Sequence, residues 1–242
     1  IKTPDQKNII LDYGGPNIGK PLHVGQLRSL NIGRSLYNIN KIAGHDVLND
    51  IHLGDWGMPI AQILCFMKKN KINSDSISID NLEEIYPKAS KLYQEDDDFK
   101  FMAQKINKEL NENKEELINN WKSLKEISVK AIKDLLSLLN HSFDLWMGES
   151  DVNNLIPEMI NNLKEDKKIS IDNGAYVSNL ETEPKILITK SDGSYLYLTT
   201  DLATVLNRKK ENKFNKAIYI VDKRQKLHLS LIHISEPTRH HV

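Results

Sequence analysis

The apolar run within Asn8-Ile9-Ile10-Leu11-Asp12-Tyr13 stops at Gly14-Gly15-Pro16, which reads as a buried strand ended by turn residues. From about Val24 the period becomes helical. Ile32, Leu36, Ile39 and Ala43 recur at spacings of four, three and four, and Gly44 stands where a helix C-terminal cap belongs. Asp46 to Ile51 then reads as a second strand. Strand, glycine-rich loop, helix and strand make a βαβ unit, which implies a parallel sheet with a right-handed crossover. Ligands of such sheets bind at the strand carboxyl ends. Pro59 starts another helix through Ile60, Ile63, Leu64 and Met67, and a long helical region is expected over roughly 83–147. Within it Leu117, Trp121, Leu124, Ser128, Ala131, Leu135 and Leu138 alternate spacings of four and three. This heptad stripe predicts one buried helix face, and packing in the core is preferred to a partner-binding coiled coil.

From about residue 168 the period shortens towards two. Ile169-Ser170-Ile171 and Ala175-Tyr176-Val177 flank Asn173-Gly174 as a hairpin. Lys185 to Thr189 reads as a further strand before a turn at Ser191-Asp192-Gly193, and Tyr195 to Thr199 continues in extended form. A helix is expected from Asp201 to Arg208 with Asp201 near its N-terminus, and Ala217 to Asp222 is a β-prone run that re-enters the main sheet. The pattern predicts the fold class as α/β, a Rossmann-type parallel sheet, the form that nucleotide-binding domains use, interrupted by a largely helical insertion with a small β hairpin region. Residues 1–75 and 186–229 form its two halves, and 76–185 the insertion.

Composition narrows the partners little. Lys plus Arg and Asp plus Glu each total 33, so no overall basic field advertises nucleic acid. Arg208-Lys209-Lys210 with Lys213 and Lys216 reads as a solvated helix end. The single cysteine, Cys65, excludes an internal disulfide or a CxxC metal clip and fits a reducing compartment. His141 and His228 have too few neighbouring ligands for a metal site, so no protein-bound metal is expected. No apolar run approaches the roughly 18 residues of a membrane span, and a cytoplasmic address is expected.

The chemistry concentrates in the loop from Gly14 to Gln26, where a helix N-terminus offers unpaired N–H groups to a phosphate. Gly14, Gly19 and Lys20 satisfy the spacing of a P-loop, but Pro21 stands where that motif needs Ser or Thr to hold magnesium. The competing reading is that His23-Val24-Gly25-Gln26 resembles the HIGH signature of class I aminoacyl-tRNA synthetases. Its surroundings, Gly15-Pro16-Asn17-Ile18-Gly19-Lys20-Pro21-Leu22 before and Leu27-Arg28-Ser29 after, resemble the arginyl-tRNA synthetase form. His52-Leu53-Gly54-Asp55-Trp56-Gly57, Tyr195-Leu196-Tyr197-Leu198-Thr199-Thr200-Asp201 and Ile218-Tyr219-Ile220-Val221-Asp222-Lys223-Arg224-Gln225-Lys226-Leu227-His228 resemble three further blocks of the same family, in the same order. The family usually ends its signature in His, where this chain has Gln26, a residue that hydrogen-bonds but carries no charge.

The resemblance implies ATP-dependent ligation of L-arginine to tRNA(Arg) through an arginyl-adenylate, by a monomer that needs Mg²⁺ only as the ATP complex and no membrane. It implies that His23, Gln26 and Lys20 serve catalysis, that His23, Gly25 and Gln26 meet ATP, and that Asn17 and Gln225 contact the amino-acid head group. Gly15 and Pro16 would shape that pocket, with Gln26 near the carboxylate. Tyr197 and Asp201 would receive the guanidinium, with Asp12 a second candidate acid. His52, Asp55 and Trp56 read as a structural turn with Trp56 in the core. Residues 230–242 resemble a translated sequencing adaptor and are expected to be a non-native tail, so that His233, His240 and His241 carry no functional reading. Without a KMSK-type second ATP loop the chain alone is expected to be a weak enzyme. A non-catalytic arginine-binding module and a P-loop NTPase are the other function classes.

Overall fold

The computed structural model describes residues 4–74, 77–180, 185–191, 195–225, 229–230 and 232. The first expected strand forms as β1 (Asn8–Tyr13), burying Ile9, Ile10, Leu11 and Tyr13. Helix α1 (Val24–Ile42) and β2 (Asp46–Asp50) complete the βαβ unit, with Gly44 at φ 94 ending the helix. α1 does not bury the stripe that predicts it. Ile32 is 44% and Ile39 60% exposed, and the buried positions are Leu30 and Gly33. The reason is a close approach: a Cβ on Gly33 would stand 2.2 Å from the Tyr13 ring, so glycine, invisible to a hydrophobic count, marks the packed face.

α2 (Met58–Lys69) carries Pro59 in its first turn. The expected long helix is instead three: α3 (Ile79–Glu95), α4 (Asp97–Asn111) and α5 (Glu115–Leu138). α3 begins at a capping box in which the Ser78 and Asn81 side chains each accept the other's backbone N–H. Asp96 breaks α3 from α4, its carboxylate accepting the Phe99 N–H at 2.9 Å. After α5 the chain turns extended, and Leu145 and Gly148 bridge in parallel to Asp50 and Leu53. The stripe of α5 also departs from the heptad. Leu117, Leu124 and Ser128 are buried as predicted, but Ile132 and Leu136 follow in place of Ala131, Leu135 and Leu138, the last being 84% exposed. A straight helix of 3.6 residues per turn drifts off a 3.5 repeat, so the buried row steps by four.

Beyond a 3₁₀ turn (Glu149–Leu155) come α6 (Ile156–Glu165) and the antiparallel hairpin β3 (Ile169–Asp172) and β4 (Ala175–Ser178), with Asn173 and Gly174 both at positive φ. The strand expected at Lys185 to Thr189 is irregular. Ser178 N–H donates to Ile186 O, while Ile188 and Thr189 N–H both donate to Tyr176 O, which bulges the pairing with β4. Asp192, Gly193, His228 and residues 233–242 lie outside the described residues. α7 (Tyr197–Asn212) starts four residues before the expected helix, so Tyr197 to Thr199 are helical rather than extended. Arg208 is fully buried rather than solvated, its guanidinium donating to the Tyr219 hydroxyl at 3.1 Å.

β5 (Lys216–Ile220) gives the sheet order β2-β1-β5. Asp46 N–H donates to Lys7 O and Asn215 N–H to Asn8 O, so the three strands start side by side, and the sheet is parallel. A 3₁₀ turn (Lys223–Gln225) follows β5. The chain forms two compact units. The sheet unit comprises Ile1–Leu11, Tyr37–Leu48 and Glu149–Val242, and the helical unit Asp12–Leu36 and Asn49–Gly148. The helical unit's core joins Ile60, Leu64 and Met67 of α2 to Leu82, Phe99, Leu110, Leu117 and Leu124. Cys65 is buried there, and burial pushes its thiol pKa up. Among the described residues no helix is long and apolar enough to cross a membrane.

Candidate active site

Within the helical unit, the loop after β1 and the segment after β2 are stitched together. Ile18 N–H donates to Gly54 O at 3.1 Å and Gly54 N–H donates to Pro16 O at 2.9 Å, so Asn17 and Gly54 form a parallel bridge. A Cβ on Gly54 would stand 1.9 Å from Asn17 Oδ1; only glycine leaves room for that amide. Pro16 is buried, while Gly15 and Asn17 are exposed.

His23 directly precedes α1, and its Nδ1 accepts the Gly25 N–H at 3.1 Å. Gln26 Oε1 accepts the His23 N–H at 3.1 Å, a reciprocal capping arrangement in which imidazole takes the place of the usual hydroxyl. Because Nδ1 is the acceptor, the neutral ring carries its proton on Nε2, a donor at a helix start that also presents a positive dipole end. A Cβ on Gly25 would come within 2.8 Å of His23 Cε1, so this ring position requires glycine there. Gln26 Nε2 donates to Gly14 O and Gly15 O at 3.4 and 3.3 Å, so its amide ties the glycine loop to the helix start. Lys20 Nζ lies over the Tyr86 ring, 4.1 Å from its centroid. The segment does not fold as a P-loop. Gly19 N–H donates inward to Ser128 Oγ at 2.9 Å, and the helix begins at Val24 rather than at once after Lys20.

Asp12, Asp50 and His52 offer ligand atoms that all lie within 4.8 Å of one another, a spacing at which they could hold a cation. The His52 nitrogens are inaccessible to solvent and lack a hydrogen-bond partner, whereas the sequence reading placed His52 in a structural turn. Its neighbours fit that turn. Asp55 is fully buried and pairs with Lys125 at 2.6 Å, and Trp56 meets Trp121 edge-on at 5.1 Å. Neither Asp50, Lys125 nor Ser128 was expected near the site; the only trace of Ser128 was a hydroxyl inside an apolar stripe.

In the sheet unit, Tyr197 opens α7 and Asp201 follows one turn later, so both lie on one helix face. The start of α7 is anchored by Thr199, fully buried, whose hydroxyl donates to Ile188 O. Asp201 is thus in the helix body and not its cap. Gln225 closes the 3₁₀ turn after β5, its N–H donating to Asp222 O at 2.9 Å.

Residues 1–238 match the family described as tRNA synthetases class I (R), catalytic domain. The arginine–tRNA ligase of Alkaliphilus oremlandii is 36% identical over 248 residues, covering 94% of this chain and 42% of the relative. That of Francisella tularensis subsp. holarctica is 36% identical over 245 residues, covering 95% and 42%. The chain therefore spans 42% of the length of these curated relatives. Among solved structures, the arginyl-tRNA synthetase of Plasmodium falciparum superposes with a TM-score of 0.81 at 28% identity, over 97% of this chain and 41% of that one. The Thermus thermophilus arginyl-tRNA synthetase shares the fold, with a TM-score of 0.62 at 21% identity over 85% of this chain and 36% of its own.

Proposed function

Because the chain belongs to the catalytic-domain family of the class I arginyl-tRNA synthetases, we propose that it carries the arginine- and ATP-handling core of an enzyme that ligates L-arginine to tRNA(Arg). The observation that carries this reading is the helix start at His23, an exposed residue whose Nδ1 accepts the Gly25 N–H and whose own N–H is held by Gln26, which leaves Nε2 for a ligand.

In the first half-reaction an arginine carboxylate oxygen attacks the α-phosphorus of Mg²⁺-bound ATP; a P–O bond forms and pyrophosphate leaves. In the second, a terminal ribose hydroxyl of the tRNA attacks the adenylate carbonyl and AMP leaves. Neither half needs a covalent link to protein, so positioning and charge stabilisation dominate. His23 Nε2–H and the N–H groups at the start of α1 stabilise phosphate charge, and Lys20 supplies a mobile cation once it leaves the Tyr86 ring. Gly25 leaves space for the nucleotide. In the helical unit Asn17 is the candidate to orient the head group, with Gly15 and Pro16 shaping the wall; in the sheet unit the candidate head-group contact is Gln225. Tyr197 and Asp201 offer the guanidinium a phenolic oxygen and a carboxylate from one helix face. Asp12 is a further acceptor for a substrate cation. Gln26 acts chiefly by fixing Gly14, Gly15 and His23, so the family's electrostatic second imidazole is replaced by a neutral brace.

Calorimetry of the chain with arginine, citrulline and lysine tests the pocket. Arginine binds and citrulline, which lacks the guanidinium charge, does not; equal binding of the two removes the arginine reading. Arginine-dependent exchange of pyrophosphate into ATP with tRNA(Arg) present then separates a catalytic core from a module that only binds the amino acid.

A further inference from the structure

Ser128 stands at the middle of the buried row of α5, between Leu124 and Ile132, and is itself fully buried. A hydroxyl among aliphatic neighbours is unfavourable unless it finds a partner, and alanine would pack as well against an apolar surface. Its partner is the N–H of Gly19, donating to Oγ at 2.9 Å from the loop that runs into His23. Two further residues on the same helix face reach the neighbouring segment. Lys125 Nζ pairs with the Asp55 carboxylate at 2.6 Å, and Trp121 Nε1 donates to Asp55 O at 2.7 Å. Trp121, Lys125 and Ser128 are four and three residues apart, one row along the helix. One helix thus grips the loops after both β1 and β2, which Gly54 ties to each other.

We infer that Ser128 is a positioning residue for the ATP side of the site, a role that rests on the function proposed above. Its hydroxyl sets the direction in which Ile18-Gly19 turns, and through it the course of Lys20-Pro21-Leu22 to His23. Asn17 lies on the other side of this anchor, and the backbone bonds flanking it, from Ile18 to Gly54 and from Gly54 to Pro16, do not involve the hydroxyl. Loss of Ser128 Oγ therefore loosens the phosphate-facing half of the loop and spares the amino-acid half.

The test compares Ser128→Ala and Ser128→Thr with the unchanged chain, by amide hydrogen exchange and by calorimetry with Mg·ATP and with arginine. Ser128→Ala is expected to speed exchange in residues 19–23 while Ile18, bonded to Gly54, and α2 to α5 stay protected. It is also expected to weaken Mg·ATP binding about tenfold with arginine affinity within about twofold, since small displacements of aligned groups carry large effects. Ser128→Thr, which keeps the hydroxyl, restores both. Unchanged exchange in 19–23 overturns the proposal, and so does loss of protection spread evenly over α2 to α5, which would make Ser128 an ordinary core residue. If the unchanged chain binds neither arginine nor Mg·ATP, the functional reading falls, and the exchange comparison still decides whether Ser128 orders the loop.

Discussion

At the scale of single residues, the site is built from atoms that fit only because a side chain is missing next to them. Gly54 leaves space for the Asn17 amide and Gly25 for the His23 ring. Gly54→Ala is expected to displace Asn17 and lower arginine affinity about tenfold, or about 1.4 kcal/mol. Calorimetry on a variant with an unaltered circular dichroism spectrum checks this, and unchanged affinity would remove Asn17 from the arginine site. Gln26 is a different case, since its amide accepts from His23 N–H and donates to Gly14 O and Gly15 O. Gln26→Ala removes a helix-start brace and is expected to cost about 1 kcal/mol of stability, read from denaturant unfolding. It should also weaken Mg·ATP binding more than arginine binding, because the freed atoms lie beside His23. Motif resemblance in the sequence made Asn17, His23, Gly25 and Gln26 candidates, yet it did not reveal that the Gln26 amide bonds to backbone. Hydrogen-bond partners twelve residues away are not encoded in a local pattern.

At the scale of elements, α5 discriminates between two readings of one stripe. The heptad predicts Leu135 and Leu138 inside, whereas the structure buries Leu136 and leaves Leu138 at 84% exposure. Leu136→Ala is therefore expected to cost about 3 kcal/mol, within the range of large-to-small core substitutions. Leu138→Ala should stay within about 0.5 kcal/mol. Equal costs by chemical denaturation would contradict the packing described. The Asp55–Lys125 pair is the other structural feature of this helix. Lys125→Met leaves the fully buried Asp55 carboxylate short of its cation and is expected to destabilise by about 3 kcal/mol. The helical periodicity of α5 was plain in the sequence, but its phase was not, because several apolar residues lie within one turn of the true face.

At the scale of the molecule, stability carries a histidine's signature. His141 is 6% exposed, and burial, assisted by the charge of Arg34, holds its pKa below the ordinary value. A histidine so depressed takes up a proton more readily in the unfolded chain. Its contribution is therefore complete above the ordinary value of about 6.5 and is lost as pH falls through it towards the lower folded pKa. The unfolding midpoint should fall as pH drops from about 7.5 to about 5.5, and His141→Phe should flatten that fall. An unchanged slope in the variant would assign the pH dependence to other groups.

The sequence by itself determined the order of strands and helices around the loop after β1, because strand and helix periods and turn residues are local properties. It also determined the family, because four motif blocks are written in contiguous residues. Only the tertiary structure decided which helix faces are buried, where α7 begins, and that Ser128 and Gly54 hold the loop. Those depend on contacts such as Gly19 to Ser128, 109 residues apart, where the deciding quantity is the space between two backbones. No pattern along the chain records that distance.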